Sequence, residues 1–124
     1  MTIKQAIEQT REIKPNPYSD KHLKEWLSIA DGQIFKYLQG FDDLTESFDG
    51  YDGDTDDETE LLAEHPFDAL YIDWLKSKID MAMEEYERYN IDATLFNEGL
   101  NAYTRYIVQN RTPRQDYTIV WPRL

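Results

Sequence analysis

This sequence predicts a mainly α-helical single domain, a four-helix, bundle-like unit spanning residues 1–124. Three observations carry that expectation. Apolar residues recur at three-, four- and seven-residue spacing in four segments, and prolines and turn-formers punctuate them. At 124 residues the chain has the length of one domain. Its 40% hydrophobic and 14% aromatic content supplies a core despite the high charge. A long acidic loop, about residues 42–64, separates the second helix from the third, and a short extended or β C-terminal arm, about residues 112–124, follows the fourth.

The first helix spans about Thr2 to Ile13. Thr2 is placed to cap it with Gln5 three residues on, and Ile3, Ala6, Ile7 and Ile13 share a face. Pro15 and Pro17 in "KPNPY" stop it and hold the chain extended. Ser19 or Asp20 caps the second helix, whose stripe is Leu23, Trp26, Leu27, Ala30, Ile34, Tyr37, Leu38 and Phe41. Gly32 weakens its middle by roughly 1 kcal/mol relative to Ala, which leaves room for a local kink there. The third helix starts at Pro66, with Asp68 in its first turn and a stripe of Phe67, Leu70, Trp74, Leu75, Ile79, Ala82, Met83 and Tyr86. Asn90 or Asp92 in "YNID" ends it and caps the fourth, which runs through Ala93, Phe96, Leu100, Tyr103 and Ile107. So short a connection makes the last two helices an antiparallel hairpin. The segment "DYTIVWP" is β-branched and aromatic and reads as one short strand or extended arm.

Charge is unevenly spread. The net charge is −12, yet no Lys or Arg occurs between Lys36 and Lys76, and residues 42–64 hold 11 of the 25 acids. The remaining 14 acids nearly balance 13 bases. With no clustered basic patch, tight nucleic-acid binding is not expected, since displacing counterions from phosphate needs such a patch. Only the last twenty residues have a mild basic excess: Arg105, Arg111, Arg114 and Arg123 against Asp116. No apolar run approaches the roughly 18 residues of a membrane span. "MTIKQAIEQTREIK" is not a signal peptide, so a soluble, cytoplasmic protein is expected.

The strip "FDGYDGDTDDETELL" raises calcium as a candidate. With Asp52 at position 1 of an EF-hand loop, Asp54 and Asp56 fall at 3 and 5, but Asp57 takes the glycine position 6 and Ala63 the glutamate position 12. With Asp49 at position 1, Tyr51 stands at position 3. Both registers fail; a weaker, non-EF cation site stays open, and the plainer reading is an exposed, flexible acidic loop anchored by Leu61 and Leu62. Its candidate surface residues are Asp49, Asp52, Asp54, Asp56, Asp57 and Glu58.

There is no cysteine, hence no thiol catalysis and no Cys-based zinc site. His22 lies on the polar side of its helix, His65 precedes Pro66, and neither has a partner in a zinc-motif pattern. No glycine-rich phosphate loop or nucleophile elbow is present, so neither an enzyme nor a cofactor is expected. Trp26 and Trp74 fall on packing stripes, whereas Tyr71, Tyr89 and Tyr106 sit near stripe edges. In the arm, Tyr117, Ile119, Val120 and Trp121 are interface candidates, because aromatic residues bury much area at low entropy cost. Two readings of the arm stay open: strand-like addition to a partner, or packing on its own core.

Two stretches, "IKPNPYSDKHLKEWLSIADGQIF" and "YDGDTDDETELLAEHPFDALYIDWLKSKIDMAMEEYERYNIDATLFNEG", resemble the head–tail connector, or adaptor, proteins of tailed bacteriophages and prophages of Gram-positive bacteria. The resemblance rests on order and spacing: a "KPN-Y" corner, a Trp-Leu pair and an Asp-Gly, then an acidic strip leading into "P-D-LY---L---ID----E--RYN-----FN". It runs from Ile13 to Gly99. It implies a non-enzymatic, cofactor-free structural subunit forming a ring with copies of itself, contacting the portal protein and tail-completion proteins. Such a subunit is found in the host bacterial cytoplasm during assembly and in the virion neck afterwards. A small acidic binding or regulatory protein, such as a nucleic-acid mimic occupying a basic partner, is the competing expectation.

Overall fold

A computed structural model describes residues 1–41, 47–115 and 118–122. Four helices fold around one core: α1 (Ile3–Ile13), α2 (Asp20–Leu38), α3 (Leu70–Ala82) and α4 (Tyr86–Asn110), with a 3-10 turn at Phe67–Ala69 leading into α3. The described residues hold no strand, only an isolated antiparallel bridge between Thr2 and Glu60.

The caps of the first two helices follow from their side chains. Thr2 Oγ1 accepts from the Gln5 amide while Gln5 Oε1 accepts from the Thr2 amide, a reciprocal capping box. Lys14 ends α1 and the corner after it is tied by Asn16, whose Oδ1 accepts from Tyr18 N and whose Nδ2 donates to Lys14 O. Ser19 Oγ then caps α2 by accepting from His22 N. α2 runs unbroken through Gly32 from Asp20 to Leu38. The helix also stops before Phe41, though Phe41 still buries its ring against the core.

The third helix departs further from expectation. Phe67–Ala69 forms the 3-10 turn before α3 begins at Leu70. At the other end, "YNID" does not break the helix: Asn90 and Asp92 lie inside α4. The break falls at Met83–Glu85. Glu85 N donates to Asp80 O and Glu84 N to Met81 O, with Glu84 at φ +58°. That pairing is a Schellman close with a glutamate in the left-handed position that glycine usually fills. Ending there swings Met83 and Tyr86, expected in the buried stripe, into solvent at 41% and 56% exposure. Ala82 is exposed for the same reason.

The hairpin itself is as expected. Gly99 faces Leu70, Phe96 stacks on Trp74, and Asp92 pairs with Lys76, so partners descend along α4 as they ascend along α3. α3 is the central element, packing on α1 and α2 with one side and on α4 with the other. Leu23, Leu27, Ala30 and Ile34 of α2 meet Leu75 and Ile79 of α3 in a core that includes Ile3, Ala6 and Ile7. Each large aliphatic side chain buried this way contributes roughly 1.5–3 kcal/mol. Ile13, expected on that face, stays 59% exposed because it closes α1 beside a hollow shared with Ile91 instead of the core. Tyr37 ties α2 to α4 by donating to Thr104 O at 2.9 Å, and burial pushes its hydroxyl up to about 12.

Candidate functional site

The acidic strip is not a free loop. Its backbone is hydrogen-bonded to the start of α1: Ile3 N donates to Thr59 O, Lys4 N to Asp57 O, and Leu61 N to Met1 O. Lys24, nearly buried on α2, extends its ammonium to Thr55 O at 2.8 Å and to Asp57 Oδ1 at 2.7 Å. That pairing holds the Asp57 carboxyl below its ordinary range. Two aspartates fold the strip on itself. Asp52 Oδ1 accepts from Asp54 N, and Asp56 Oδ1 accepts from Glu58 N, each closing a side-chain turn. Gly50 sits at φ +88°, and a Cβ there would lie 2.8 Å from Ser28 Oγ, so glycine is required on both counts. Ser28 Oγ in turn accepts from Tyr51 N. Residues 47–64, an exposed loop as expected, are thus hydrogen-bonded to α1 and α2; residues 42–46 lie outside the described ones.

One buried carboxylate organises this wrapping. Asp31 is fully buried on the inner face of α2 and accepts three hydrogen bonds: Tyr51 OH at 2.6 Å, Tyr71 OH at 2.5 Å and Leu62 N at 3.1 Å. Tyr71 OH also accepts from Ala63 N at 2.7 Å. Strip, α2 and α3 are thus joined at one atom group. Burial raises the Asp31 carboxyl to about 6, against the lowering effect of its three donors. Burial and the adjacent carboxylate push both tyrosine hydroxyls well above their usual range. Buried as it is, the group ties three parts of the fold together. Sequence reading passed over Asp31 and Tyr51, and placed Tyr71 at a stripe edge. The available signal was position: Asp31 stands four residues after Leu27 and three before Ile34, an acid on an apolar face.

A second charged cluster locks α1 to the hairpin. Lys14 Nζ lies 2.6 Å from both Asp80 Oδ1 and Glu85 Oε2, while Lys76 Nζ lies 3.1 Å from Asp92 Oδ1. Asp80 is fully buried. Its carboxyl is raised, first by burial and then by the neighbouring Asp92 carboxyl, against the opposing effect of Lys14. Beside the cluster a hollow of about 250 Å³ opens between Ile13, Arg88 and Ile91. Lys14, Lys76 and Arg88 line it together with Asp92; Lys14 also pairs with Asp80 and Glu85, and Arg88 with Glu85.

The exposed candidates fall into two places. Asp49, Asp52, Asp54, Asp56, Asp57 and Glu58 are all exposed on the strip, although Asp57 also pairs with Lys24. Among the described residues no group of three or more His, Asp or Glu is arranged to hold a metal ion. The arm is elsewhere. Arg114 donates from its amide to Gly40 O at 2.7 Å and from Nη1 to Gln39 O at 3.2 Å, satisfying carbonyls at the end of α2. Ile119 packs on Gly40, where a Cβ would come within 3.0 Å of Ile119 Cγ1. Trp121 lies against Tyr37 with ring centroids 5.2 Å apart and stays 54% exposed, and Val120 is exposed beside it. Residues 118–122 form no strand, and Tyr117 lies outside the described residues. In the described part of the arm Ile119 and Trp121 lie on their own chain, with the outer side of Trp121 left open.

The remaining aromatic and imidazole residues have structural partners. Trp74 Nε1 donates to Trp26 O at 2.7 Å, and Tyr18, His22 and Trp26 form a three-ring cluster in which His22 meets Trp26 edge-on. Exposed His65 pairs with buried Asp68, three residues on, at 3.3 Å from Nδ1 to Oδ1, and the other oxygen of Asp68 lies 3.4 Å from the Met1 amine. Among the described residues no helix is long and apolar enough to cross a membrane. Comparison with protein-family models, with curated proteins and with solved structures gives no match.

Proposed function

We propose that this chain is a head–tail adaptor subunit of a tailed phage, joining portal to tail by protein–protein contacts as one copy in a ring. The observation that carries the reading is the Asp31 network. The pieces behind the resemblance to connector proteins, "ADG", "YDGDTDDETELL" and "ALY", are held to one another by Asp31, Tyr51, Leu62 and Tyr71. Residues whose order resembles that family are thus the residues that build this fold. A ring needs a subunit with two unlike, fixed faces, since each copy meets the next heterologously. The braced strip supplies an anionic face, and the arm with the outer side of α4, where Arg105 stands with Glu98, supplies an apolar and charge-balanced one. Deletion of the gene from the phage or prophage is the test. Filled heads lacking tails are expected, and normal tailed particles would overturn the proposal.

A second reading is favoured by the outward carboxylates alone: an acidic protein that occupies a basic partner. It predicts a 1:1 complex that weakens steeply as salt screens the charges.

A further inference from the structure

A hollow of about 240 Å³ opens between α3 and α4, walled by the rings of Trp74, Tyr89 and Phe96. Its deepest wall is fixed in place. Trp74 Nε1 is committed to Trp26 O at 2.7 Å, which sets the plane of the indole, and Phe96 packs on that indole with centroids 5.0 Å apart. A recess walled by aromatic rings suits another flat ring. The polar part of the lining is of one sign. Lys78 supplies its single charge, with the ammonium 4.5 Å from the centroid of the Trp74 ring, and no carboxylate belongs to the lining. In a chain of 25 acids and 13 bases, Lys78 has no ion-pair partner among the described residues. The Tyr89 hydroxyl and the Asn97 amide, which line the same hollow, have no hydrogen-bond partner there either. Other hollows are matched internally: Asp92 lines the one with Lys14 and Lys76, Glu98 the one with Arg105, and Asp49 the one with Lys36.

We propose that this hollow between α3 and α4 binds a small aromatic carboxylate, with its ring against Trp74 and Tyr89 and its carboxylate on the Lys78 ammonium. Charge selects the sign of the occupant. An anion gives Lys78 the partner it lacks, and the Tyr89 hydroxyl and Asn97 amide add donors, whereas a cation meets Lys78 as a like charge. Size selects its class: about 240 Å³ takes one ring system with a short acidic arm and not a length of peptide chain. The site is separate from the strip and the arm and does not depend on the adaptor reading.

Four probes of graded chemistry test it by NMR titration of the ¹⁵N-labelled full chain: indole-3-acetate, neutral indole-3-acetamide, cationic tryptamine, and acetate without a ring. Indole-3-acetate should give saturable shifts of the Trp74 indole N–H and of the Lys78, Tyr89 and Asn97 amides, with a Kd of about 1 mM or tighter. The amide and tryptamine should bind roughly tenfold more weakly, and acetate should not saturate. Lys78→Gln should remove the preference for the acid over the amide, and Ala93→Leu, which fills the hollow from α4, should abolish binding of all three indoles. Circular dichroism checks that each variant keeps its helicity; if Ala93→Leu does not fold, Lys78→Gln still decides. Four results would each overturn the proposal: no saturable shift by about 10 mM, tryptamine binding as tightly as the acid, shifts centred away from these residues, or an unchanged preference in folded Lys78→Gln.

Discussion

Tyr71→Phe deletes one oxygen and should cost more stability than any other single hydroxyl in the protein. Its hydroxyl makes two buried bonds, donating to the Asp31 carboxylate at 2.5 Å and accepting from the Ala63 amide at 2.7 Å. Loss of a bond to a charged acceptor costs about 1.5–3 kcal/mol, and an amide left buried without an acceptor costs about 1–3 kcal/mol more. The ring itself stays, so no cavity adds to this. Tyr51→Phe is the internal control. It loses only the 2.6 Å bond to Asp31, because its amide keeps Ser28, and it should cost about 1.5–3 kcal/mol. Urea denaturation followed by far-UV circular dichroism reads both, with the slope of each transition checked for constancy. Tyr71→Phe should be the less stable of the two by about 1–3 kcal/mol. Equal stabilities, or a loss below about 1 kcal/mol for Tyr71→Phe, would refute the reading of Asp31 as the junction of strip, α2 and α3.

Three further outcomes follow from the same contacts. The Asp31 carboxyl is raised from an unfolded value near 4 to about 6, so its contribution to stability is full below pH 4 and is lost as pH rises through 6. Asp31→Asn lacks that titration, and its stability relative to the parent should improve by about 3 kcal/mol between pH 4 and pH 7; a change in the other direction in urea midpoints would contradict this. Glu84→Gly relieves a left-handed residue at the close of α3 and should raise stability by about 0.5–1 kcal/mol, read as a higher thermal midpoint. Lys14→Met removes the cation from buried Asp80 and should cost on the order of 3 kcal/mol at neutral pH, and less in acid, where Asp80 takes up a proton.

What the sequence made legible was local. Thr2 and Ser19 announce their caps, the prolines of "KPNPY" end α1, and the α2 stripe from Leu23 to Leu38 is buried nearly as its spacing predicts. The end of α3 was hidden because its Schellman close uses Glu84 where glycine would have signalled it, and "YNID" offered better-looking caps. The order of the strip was hidden for a different reason. It comes from tertiary bonds to Lys24, Ser28 and Asp31, twenty or more residues away in the chain, and nothing in a run of glycines and aspartates reports a partner at that distance. The same distance hid the seat of the arm, since Gly40 shows its use only once Ile119 lies on it.

The most direct test of the adaptor proposal is stoichiometry. The purified chain is mixed with the portal protein encoded in the same genome, and the masses of the intact complexes are measured by native mass spectrometry. The proposal predicts portal rings carrying many copies of this chain in a fixed number. Portal rings and folded free chain with no complex between them would contradict it.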